Sequence, residues 1–348
     1  MIFFGYRCAS DEAGQVCRIR PNNPILAFSH SSNFTTYYLD LIYANGTVEA
    51  QKVTLNGSTG IKDVELYHNC EGKSYLILSD SRSTGGAIRI YDLDNMGGPL
   101  ASVNTDDYSQ ELEIAQRKVY YAVQNKDEVR YFSLENPASP GTVQSIPVGK
   151  KPTNLLRVGN TLYVTNQDFI DMQNPTVSVI SLWTNTVIST VWVGHNPVAL
   201  LWDGETLWSY NAGYFNSSNQ LTPGSISYDI QSVTSQSLAP EISLSGAQNQ
   251  ERPAFGGRMA RAGGKNFATL CRVQFQPVYE ESCSRYEFTK SGLRNRDNSR
   301  QYRWLGSHPN QLYEVYKEGN SLVLQGGSLI QSVILPSAMD FQFHILEN

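Results

Sequence analysis

The stretch Val148-Gly-Lys-Lys-Pro152 recurs 45 residues later as Val193-Gly-His-Asn-Pro197. A second pair of segments keeps the same offset, since Leu162-Tyr-Val-Thr-Asn166 is followed by Leu207-Trp-Ser-Tyr-Asn211. A four-stranded blade of a β-propeller takes about 40–45 residues, so a repeat of this period is typical of that fold. The repeat therefore predicts an all-β chain built from propeller blades.

Strand patterns also recur from one repeat unit to the next. Apolar residues take the same relative positions in Ile88-Arg-Ile-Tyr-Asp-Leu93, Val129-Arg-Tyr-Phe-Ser-Leu134 and Val177-Ser-Val-Ile-Ser-Leu182. Alternation with a period of two turns one face of a strand toward the core. The dipeptide Asn45-Gly46 lies between two alternating stretches, and this arrangement is a strong signal for a β-hairpin.

These patterns predict one β-propeller domain over residues 1–348, with seven four-stranded blades and with six or eight as the alternatives. The C-terminal tail is shorter than a full unit, so we expect both chain termini to close the last blade. Such closure removes an open sheet edge. The approximate blades are 24–69, 73–116, 117–158, 159–203, 204–262, 263–319, and 320–348 together with 1–23.

One unit carries a more specific pattern. Its segments are Leu162-Tyr-Val-Thr-Asn166, Thr176-Val-Ser-Val-Ile180, Thr184-Asn-Thr-Val187 and Val193-Gly-His-Asn-Pro197. In order and spacing they resemble the YVTN family of β-propeller repeats, strongly over 159–200, partially over 117–158 and weakly elsewhere. The resemblance implies the fold only. Family members include surface and envelope proteins, and related propellers include lactonases and dehydrogenase subunits, so no single activity or catalytic residue carries over.

Charge and hydropathy exclude several classes of protein. Charged residues make up only 17% of the chain, and its net charge is −5, which argues against attraction of the whole molecule to nucleic acid. No stretch approaches about 18 consecutive apolar residues, so no transmembrane segment is expected. Residues 1–8 are too short in their apolar part for a signal peptide. Either the protein is cytoplasmic, or the numbering begins after a processing site.

The five cysteines bear on the compartment. Cys8 and Cys17 are close in sequence, as are Cys271 and Cys283, and Cys70 is left over. We expect a disulfide in each pair, and five reduced thiols in a cytoplasmic protein are the alternative. Triplets of the N-glycosylation type begin at Asn33, Asn45, Asn56 and Asn216. Together these features favour an extracytoplasmic location, which is the periplasm, the cell surface or the exterior.

Motifs that carry catalysis are missing from the sequence. The histidines form no metal-binding spacing, and there is no nucleophile elbow or phosphate-binding loop. Adjacent carboxylates such as Asp106-Asp107 point to opposite faces of a strand, so they do not make an acid–base pair. His195 lies in the repeated turn, where it could line a central channel or be a solvated turn residue. No catalytic residue, metal ligand or cofactor is predicted.

A basic cluster interrupts the regular repeats. Eleven of the 27 basic residues lie between residues 252 and 303 of this acidic chain. Arginine pairs well with anionic groups, and arginine with aromatic residues is common in interface hot spots. We expect a protein partner here, with an anionic glycan, a lipid head group or plain solvated loop charges as alternatives. The candidate partner-binding residues are Arg258, Arg261, Lys265, Arg294, Arg296, Arg300, Tyr302, Arg303 and Trp304.

The sequence thus predicts a non-catalytic, extracytoplasmic or cell-envelope propeller that acts as a binding module, alone or as a subunit of a larger assembly. Regular blades would form a rigid scaffold, and the longer units after about residue 212 would carry specificity. The alternative is a propeller enzyme, lactonase-like or of the dehydrogenase type, with a site in the central channel.

Overall fold

The computed structural model describes most of the chain between residues 23 and 346. The described residues are 23–31, 33–69, 71–83, 85–105, 109–167, 175–214, 222, 224–234, 237–246, 259–274, 280–307, 311–318, 321–326, 329–334 and 340–346. They form seven four-stranded antiparallel sheets, called sheets 1 to 7 in chain order, and three short 3-10 turns. No described segment forms a helix long and apolar enough to cross a membrane.

The chain divides into two compact units, residues 1–146 with 336–348, and residues 147–335. The strands of the first unit are β1 Pro24–Ser31, β2 Thr36–Tyr43, β3 Val48–Asn56, β4 Gly60–His68, β5 Ser74–Arg82, β6 Gly85–Asp92, β7 Ala101–Asn104, β8 Ser109–Ala115, β9 Lys118–Val123, β10 Glu128–Ser133, β11 Gln144–Pro147 and, near the C-terminus, β28 Asp340–Ile345. Sheet 1 has the order β28-β1-β2-β3, sheet 2 holds β4 to β7, and sheet 3 holds β8 to β11.

The second unit holds the other four sheets. Its strands are β12 Pro152–Val158, β13 Thr161–Asn166, β14 Thr176–Ser181, β15 Thr186–Trp192, β16 Pro197–Trp202, β17 Leu207–Asn211, β18 Ser225–Ser227, β19 Glu241–Ser243, β20 Met259–Ala262, β21 Lys265–Gln274, β22 Glu280–Thr289, β23 Gly292–Asp297, β24 Gln301–Ser307, β25 Leu312–Glu318, β26 Ser321–Gly326 and β27 Leu329–Ile334. Each run of four consecutive strands forms one sheet, from sheet 4 to sheet 7.

This architecture confirms the predicted all-β, seven-bladed β-propeller fold. Both ends of the chain close one blade, as expected, because β28 pairs with β1 so that Phe343 lies opposite Phe28. The Asn45-Gly46 hairpin is also present. Gly46 adopts a φ of 84° and donates its N–H to the carbonyl of Tyr43. The prediction of one domain over residues 1–348 stays a prediction.

The predicted blade boundaries need a correction. The first predicted blade, 24–69, includes the segment that forms β4, but β4 pairs with β5 in sheet 2. The tail 320–348 was expected to pair with residues 1–23, but β26 and β27 belong to sheet 7 and β28 joins sheet 1. Apolar alternation and turn residues identify strands without showing which neighbours share hydrogen bonds. Residues 1–22 lie outside the described part of the chain.

Apolar layers between neighbouring sheets form the core of each unit. In the first unit, Leu39 and Leu41 of sheet 1 pack with Leu76 and Leu78 of sheet 2. In the second unit, a cluster between sheets 5 and 6 contains Trp208 and Phe288, whose rings meet edge to face at 5.1 Å between centroids. These layers explain why Val, Ile, Leu and aromatic residues alternate along the strands.

Polar side chains also join neighbouring sheets, at bulges in their first strands. Leu112 follows a bulge in β8 and donates its N–H to Asp63 Oδ2 of β4 at 2.8 Å. Leu200 follows a bulge in β16 and donates its N–H to Asn154 Oδ1 of β12 at 2.8 Å. A bulge leaves a backbone group without a ladder partner, and a buried N–H without a partner is costly. The Asp63 and Asn154 side chains therefore satisfy these groups.

Candidate functional site

The repeated turn is held by a cluster of neutral polar groups in sheet 4. Gly149 donates its N–H to Ser178 Oγ at 3.3 Å. Asn166 Nδ2 donates to Thr176 Oγ1 and to Ser178 Oγ, each at 2.9 Å. A Cβ on Gly149 would lie 2.6 Å from Asn166 Cγ. The position of the Asn166 side chain therefore requires a glycine at residue 149, because any larger residue there would clash with it.

The same cluster recurs in sheet 5. Gly194 donates its N–H to Ser227 Oγ at 3.1 Å, and Asn211 Nδ2 donates to Ser225 Oγ at 3.0 Å and to Ser227 Oγ at 2.9 Å. A Cβ on Gly194 would lie 2.0 Å from Ser225 Oγ. The 45-residue repeat in the sequence is thus explained by packing and hydrogen bonding within each sheet.

The second copy of the turn borders a pocket. Its volume is about 200 Å³. The residues that line it are Val193, Gly194, His195, Gly213, Gly224, Ser225, Leu238, Glu241 and Ser243. The side chains of His195, Glu241 and Ser243 are exposed, so the pocket can exchange a ligand with solvent.

The strand register shows why the first copy differs. Glu241 lies opposite Ser227 in sheet 5, and Thr190 lies opposite Ser178 in sheet 4. Ser243 and Trp192 correspond in the same way. The turns differ too, since Lys150 takes the place of His195. The second copy therefore has the carboxylate of Glu241 where the first copy has the hydroxyl of Thr190. It has the small Ser243 where the first copy has the large ring of Trp192.

His195 lines this pocket. Its ring packs on Tyr214, with 4.6 Å between ring centroids, and its backbone carbonyl accepts the N–H of Gly213 at 3.0 Å. His195 is therefore a pocket residue at the exposed turn. Among the described residues, no group of three or more His, Cys, Asp and Glu side chains could hold a metal ion.

An exposed apolar cluster lies beside the pocket. Six large apolar side chains are exposed in the described part of the protein, and four of them belong to the β14–β15 hairpin or to the segment that pairs with its end. We call these four the apolar cluster: Trp183, Ile188, Trp192 and Leu238, with exposed fractions of 63, 61, 40 and 62%. Large exposed apolar groups that gather in one region mark interaction surfaces.

Backbone pairing connects the two parts of the apolar cluster. β15 is the last strand of sheet 4. At its end Trp192 donates its N–H to the carbonyl of Ser237 at 3.0 Å and accepts the N–H of Ala239 at 2.8 Å. Trp192 and Leu238 form a parallel bridge. The outer edge of β15 can therefore pair with an extended segment.

The predicted basic cluster spreads over sheets 6 and 7, and carboxylates of the same unit meet many of its cations. Arg261 Nη1 lies 3.2 Å from Asp203 Oδ1, and Lys265 Nζ lies 2.9 Å from Glu287 Oε2. Arg300 Nη1 donates to Gln325 Oε1 at 2.7 Å, and the guanidinium lies 4.3 Å from the centre of the Tyr316 ring. The two ion pairs neutralise Arg261 and Lys265, and Gln325 and Tyr316 hold the guanidinium of Arg300.

The other candidates of that cluster lie on β23 and β24 or outside the described residues. Arg294 on β23 is exposed and donates to Ser291 Oγ at 2.6 Å. Arg296 lies on the same strand and is half-buried. Arg303 and Trp304 lie on β24, where only their backbone is described. Arg258 falls outside the described residues.

Arg285, which was not among the candidate site residues, is the centre of the charge network. Its guanidinium donates to Glu314 and, at 3.0 Å, to Asp297 Oδ2. It also lies 5.2 Å from the ring centre of Phe267 and 5.4 Å from that of Tyr302. A cation held between two rings and two carboxylates joins sheets 6 and 7. Its place among the eleven basic residues between 252 and 303 was a sequence signal for it.

The two carboxylates respond differently to this network. Burial would raise the pKa of Asp297, but hydrogen bonds from Ser299 and from the Tyr302 hydroxyl, with the charge of Arg285, lower it to about 2. Burial raises the pKa of Glu314, and Arg285 offsets only part of this effect. Burial and the bond to Asp297 also raise the pKa of Tyr302. Asp297 is therefore the firmly ionised partner.

The disulfide between Cys271 and Cys283 is present as predicted. The two residues lie directly opposite each other on β21 and β22, and both are buried between sheets 6 and 7. The second predicted pair, Cys8 and Cys17, and the leftover Cys70 lie outside the described residues.

A buried Ser–His–Asp arrangement occurs in the first unit. His344 Nε2 lies 3.3 Å from Ser29 Oγ, and His344 Nδ1 lies 3.3 Å from Asp63 Oδ1. Only 2% of Ser29 and 1% of the His344 side chain are exposed. A catalytic serine must contact its substrate, so burial makes this arrangement a structural link from β28 and β1 to β4. Sequence reasoning missed it because the three residues are far apart in the chain.

Comparison with known proteins identifies the fold alone. No protein-family model and no curated protein matches the chain. The hydrazine synthase of Kuenenia stuttgartiensis is similar in structure, with a TM-score of 0.56 and 14% identity over 77% of this chain and 76% of that chain. The dihydro-heme d1 dehydrogenase NirN in complex with DHE has a TM-score of 0.55 and 10% identity over 95% and 78%. Saccharomyces cerevisiae Sqt1 has a TM-score of 0.56 and 10% identity over 90% and 82%. At such identities the chain shares an architecture with these proteins, and its resemblance to the YVTN family stays a prediction.

Proposed function

We propose that this protein is a non-catalytic, extracytoplasmic β-propeller that binds a protein partner through the outer edge of β15. The apolar cluster carries this proposal, because four of the six exposed large apolar side chains of the described chain belong to that region. Burying them against a partner would be favourable at roughly 25 cal/mol per Å² of apolar surface.

The backbone of β15 supports an extended occupant. An edge strand has unpaired N–H and C=O groups that can take another strand. Ser237–Ala239 already pairs in parallel with the end of β15 at Trp192. A partner strand would use the part of β15 before Trp192, where Ile188 lies at a bulge in the pairing with β14. Backbone bonds would supply affinity, and the apolar cluster would supply specificity.

The basic cluster is the weaker candidate for the partner surface. Lys265 has a carboxylate partner within sheet 6, Arg261 has one in the loop between β16 and β17, and Arg285 is half-buried between two carboxylates. A partner would have to break these pairs before it could use the cations. We therefore place the first contact on the apolar cluster, and keep the exposed Arg294 as the test of the alternative.

The extracytoplasmic location rests on Cys271–Cys283, since disulfides persist in oxidising compartments. Mass measurement of the native protein before and after reduction tests it. A two-dalton increase on reduction for each bond is expected. Fully reduced cysteines in protein isolated from its cell would place it in a reducing compartment instead.

A displayed library of random extended peptides, selected on the wild-type protein, tests the binding proposal. We expect an enriched consensus whose affinity falls at least tenfold in Ile188→Asp, because a charge there would face the docked apolar side chains. Leu100→Asp is the matched control, since Leu100 is an exposed apolar residue of the first unit. Arg294→Glu should leave affinity unchanged. Selection of no consensus, or equal binding by Ile188→Asp, would overturn the proposal.

A further inference from the structure

The pocket continues the apolar cluster at the end of β15. Trp192 is the last residue of β15, and the next three residues, Val193, Gly194 and His195, line the pocket. Leu238 belongs to both, because it forms the bridge to Trp192 and also lines the pocket. A segment bound along β15 before Trp192 would end beside Leu238, and one long side chain near its end could extend into the pocket.

The lining combines apolar and acidic groups. Val193 and Leu238 offer apolar contact, and Glu241 offers a carboxylate. Within the described residues Glu241 forms no ion pair, although its carboxylate lies close enough to the turn that a Cβ on Gly194 would come within 2.9 Å of Oε2. Among the described residues, no lysine or arginine lines the pocket. The group that complements this lining is a cation on an apolar stem.

We infer that the pocket binds the side chain of one arginine or lysine of the partner strand. Both side chains have an aliphatic stem that packs on apolar surface and a charged end that pairs with a carboxylate. Ser225 and Ser243 provide hydroxyl oxygens beside Glu241 that can accept further hydrogen bonds. The volume of about 200 Å³ is below the roughly 300–1,000 Å³ typical of pockets for whole small molecules, which fits one side chain.

The first copy of the turn lacks the residues that would favour a basic side chain. Lys150 stands where His195 stands, and Thr190 stands where Glu241 stands. A cation at that turn and a neutral hydroxyl in place of the carboxylate would disfavour a basic side chain. Only the second copy is suited to one, so we expect a single basic anchor per protein molecule.

This inference rests on the proposed function for its partner strand, but its test does not. The probes are N-acetyl-arginine amide and N-acetyl-norleucine amide, titrated against the full chain by NMR. We expect the arginine probe to bind at least about fivefold more tightly than the norleucine probe, as a charge-assisted hydrogen bond implies. Glu241→Gln should remove this preference. Glu318→Gln, an exposed glutamate at the end of β25, is the matched control and should retain it.

A measurement on the unmodified protein guards against misfolding of the variant. Raising the salt concentration from 50 to 500 mM should weaken the arginine probe several-fold and leave the norleucine probe unchanged, because salt screens exposed charge pairs. Equal affinity of both probes for the wild type, or an arginine preference that survives in Glu241→Gln, would overturn the inference. Arginine binding at Glu241 without any peptide binding at β15 would support the pocket and refute the proposed function.

Discussion

Two regions of the second unit pair their buried polar groups by different chemistry. Sheets 4 and 5 use neutral amides and hydroxyls, in which Asn166 and Asn211 each bind two hydroxyls. Sheets 6 and 7 use charges, with Arg285 between Asp297 and Glu314. Both solutions provide hydrogen bonds to buried polar groups, but only the second depends on ionisation. The difference teaches that the clean sequence repeat marks neutral packing, while its loss marks a charge network.

The largest expected effect comes from removing the charge at the centre of sheets 6 and 7. Arg285→Met should lower the free energy of unfolding by about 3 kcal/mol at pH 7, because it removes the cation hydrogen-bonded to the buried Glu314 carboxylate and leaves only the longer contact with Arg300, at 3.8 Å. Chemical denaturation measures this. The loss should be smaller near pH 4, where Glu314 can take up a proton. Lys290→Met removes an exposed cation paired with Asp229 and should change stability little. An equally small effect of Arg285→Met would contradict the difference between the two regions.

The next effect concerns the glycines of the neutral region. Gly149→Ala and Gly194→Ala should each cost about 2–3 kcal/mol, as overpacking does. Gly149→Ala should cost more, since its Cβ would meet Asn166 Cγ, whereas the Cβ at Gly194 first meets the rotatable hydroxyl of Ser225. Gly98, which has nothing within 4 Å of an added Cβ, provides the control. Thermal unfolding of the three variants tests the order, and a stable Gly149→Ala would contradict the packing explanation.

A smaller effect compares the two copies of the asparagine cluster. Asn211 Oδ1 accepts a hydrogen bond from Ser209 Oγ at 2.9 Å, whereas Asn166 Oδ1 is buried without a partner in the described residues. Val164 occupies the position that corresponds to Ser209. Ser209→Val should therefore cost about 1–2 kcal/mol by leaving an acceptor unsatisfied.

The reverse exchange is the control for that prediction. Val164→Ser should be nearly neutral, because a new donor for Asn166 offsets lost apolar burial. Unfolding by urea of the two variants measures both effects. Equal losses in the two would show that the hydroxyl at this position contributes nothing to the cluster.

The smallest expected effect is acid sensitivity of the charged region. The folded pKa of Asp297 is about 2, below the unfolded value of about 3.9. A lowered folded pKa stabilises the protein above the unfolded pKa, and this stabilisation is lost as pH falls from about 4 toward 2. The partly exposed carboxylate should contribute about 1 kcal/mol after solvent screening.

Asp297→Asn isolates that contribution from the opposite effect of Glu314, whose pKa is raised. The stability difference between wild type and Asp297→Asn should be present at pH 7 and should shrink by pH 2.5. Urea unfolding at both pH values measures it. A difference that stays constant with pH would show that Asp297 acts through shape and not through charge.

Much of the fold was predictable because its signals are local. Alternating apolar residues around Ile88 and Val177 and the Asn45-Gly46 turn each report on a few neighbouring residues, and the 45-residue period reports on the blade. The pairing of β4 with β5 was not predictable, because hydrogen-bond partners depend on the direction of a loop. Cys271 and Cys283 are close in the sequence, which predicted their disulfide, and the structure confirms it.

The candidate site was mostly beyond the sequence. His195 drew attention through its place in the repeat, but Glu241 and Leu238 lie more than forty residues further along and belong to no motif. In the sequence, the arginines after residue 252 suggest a surface for a partner, but in the structure Arg261 and Arg285 pair with carboxylates. Charge counts along a chain do not show which charges meet.

The sequence by itself determined the repeating strand architecture, since periodicity and turn chemistry act over short distances. Only the tertiary structure decided which polar groups are used up inside the protein and which remain exposed. Arg285 and Glu241 show the physical reason. Each is a charged residue in a β-rich segment, yet one is neutralised by side chains from neighbouring strands and the other borders an open pocket without an ion pair in the described structure.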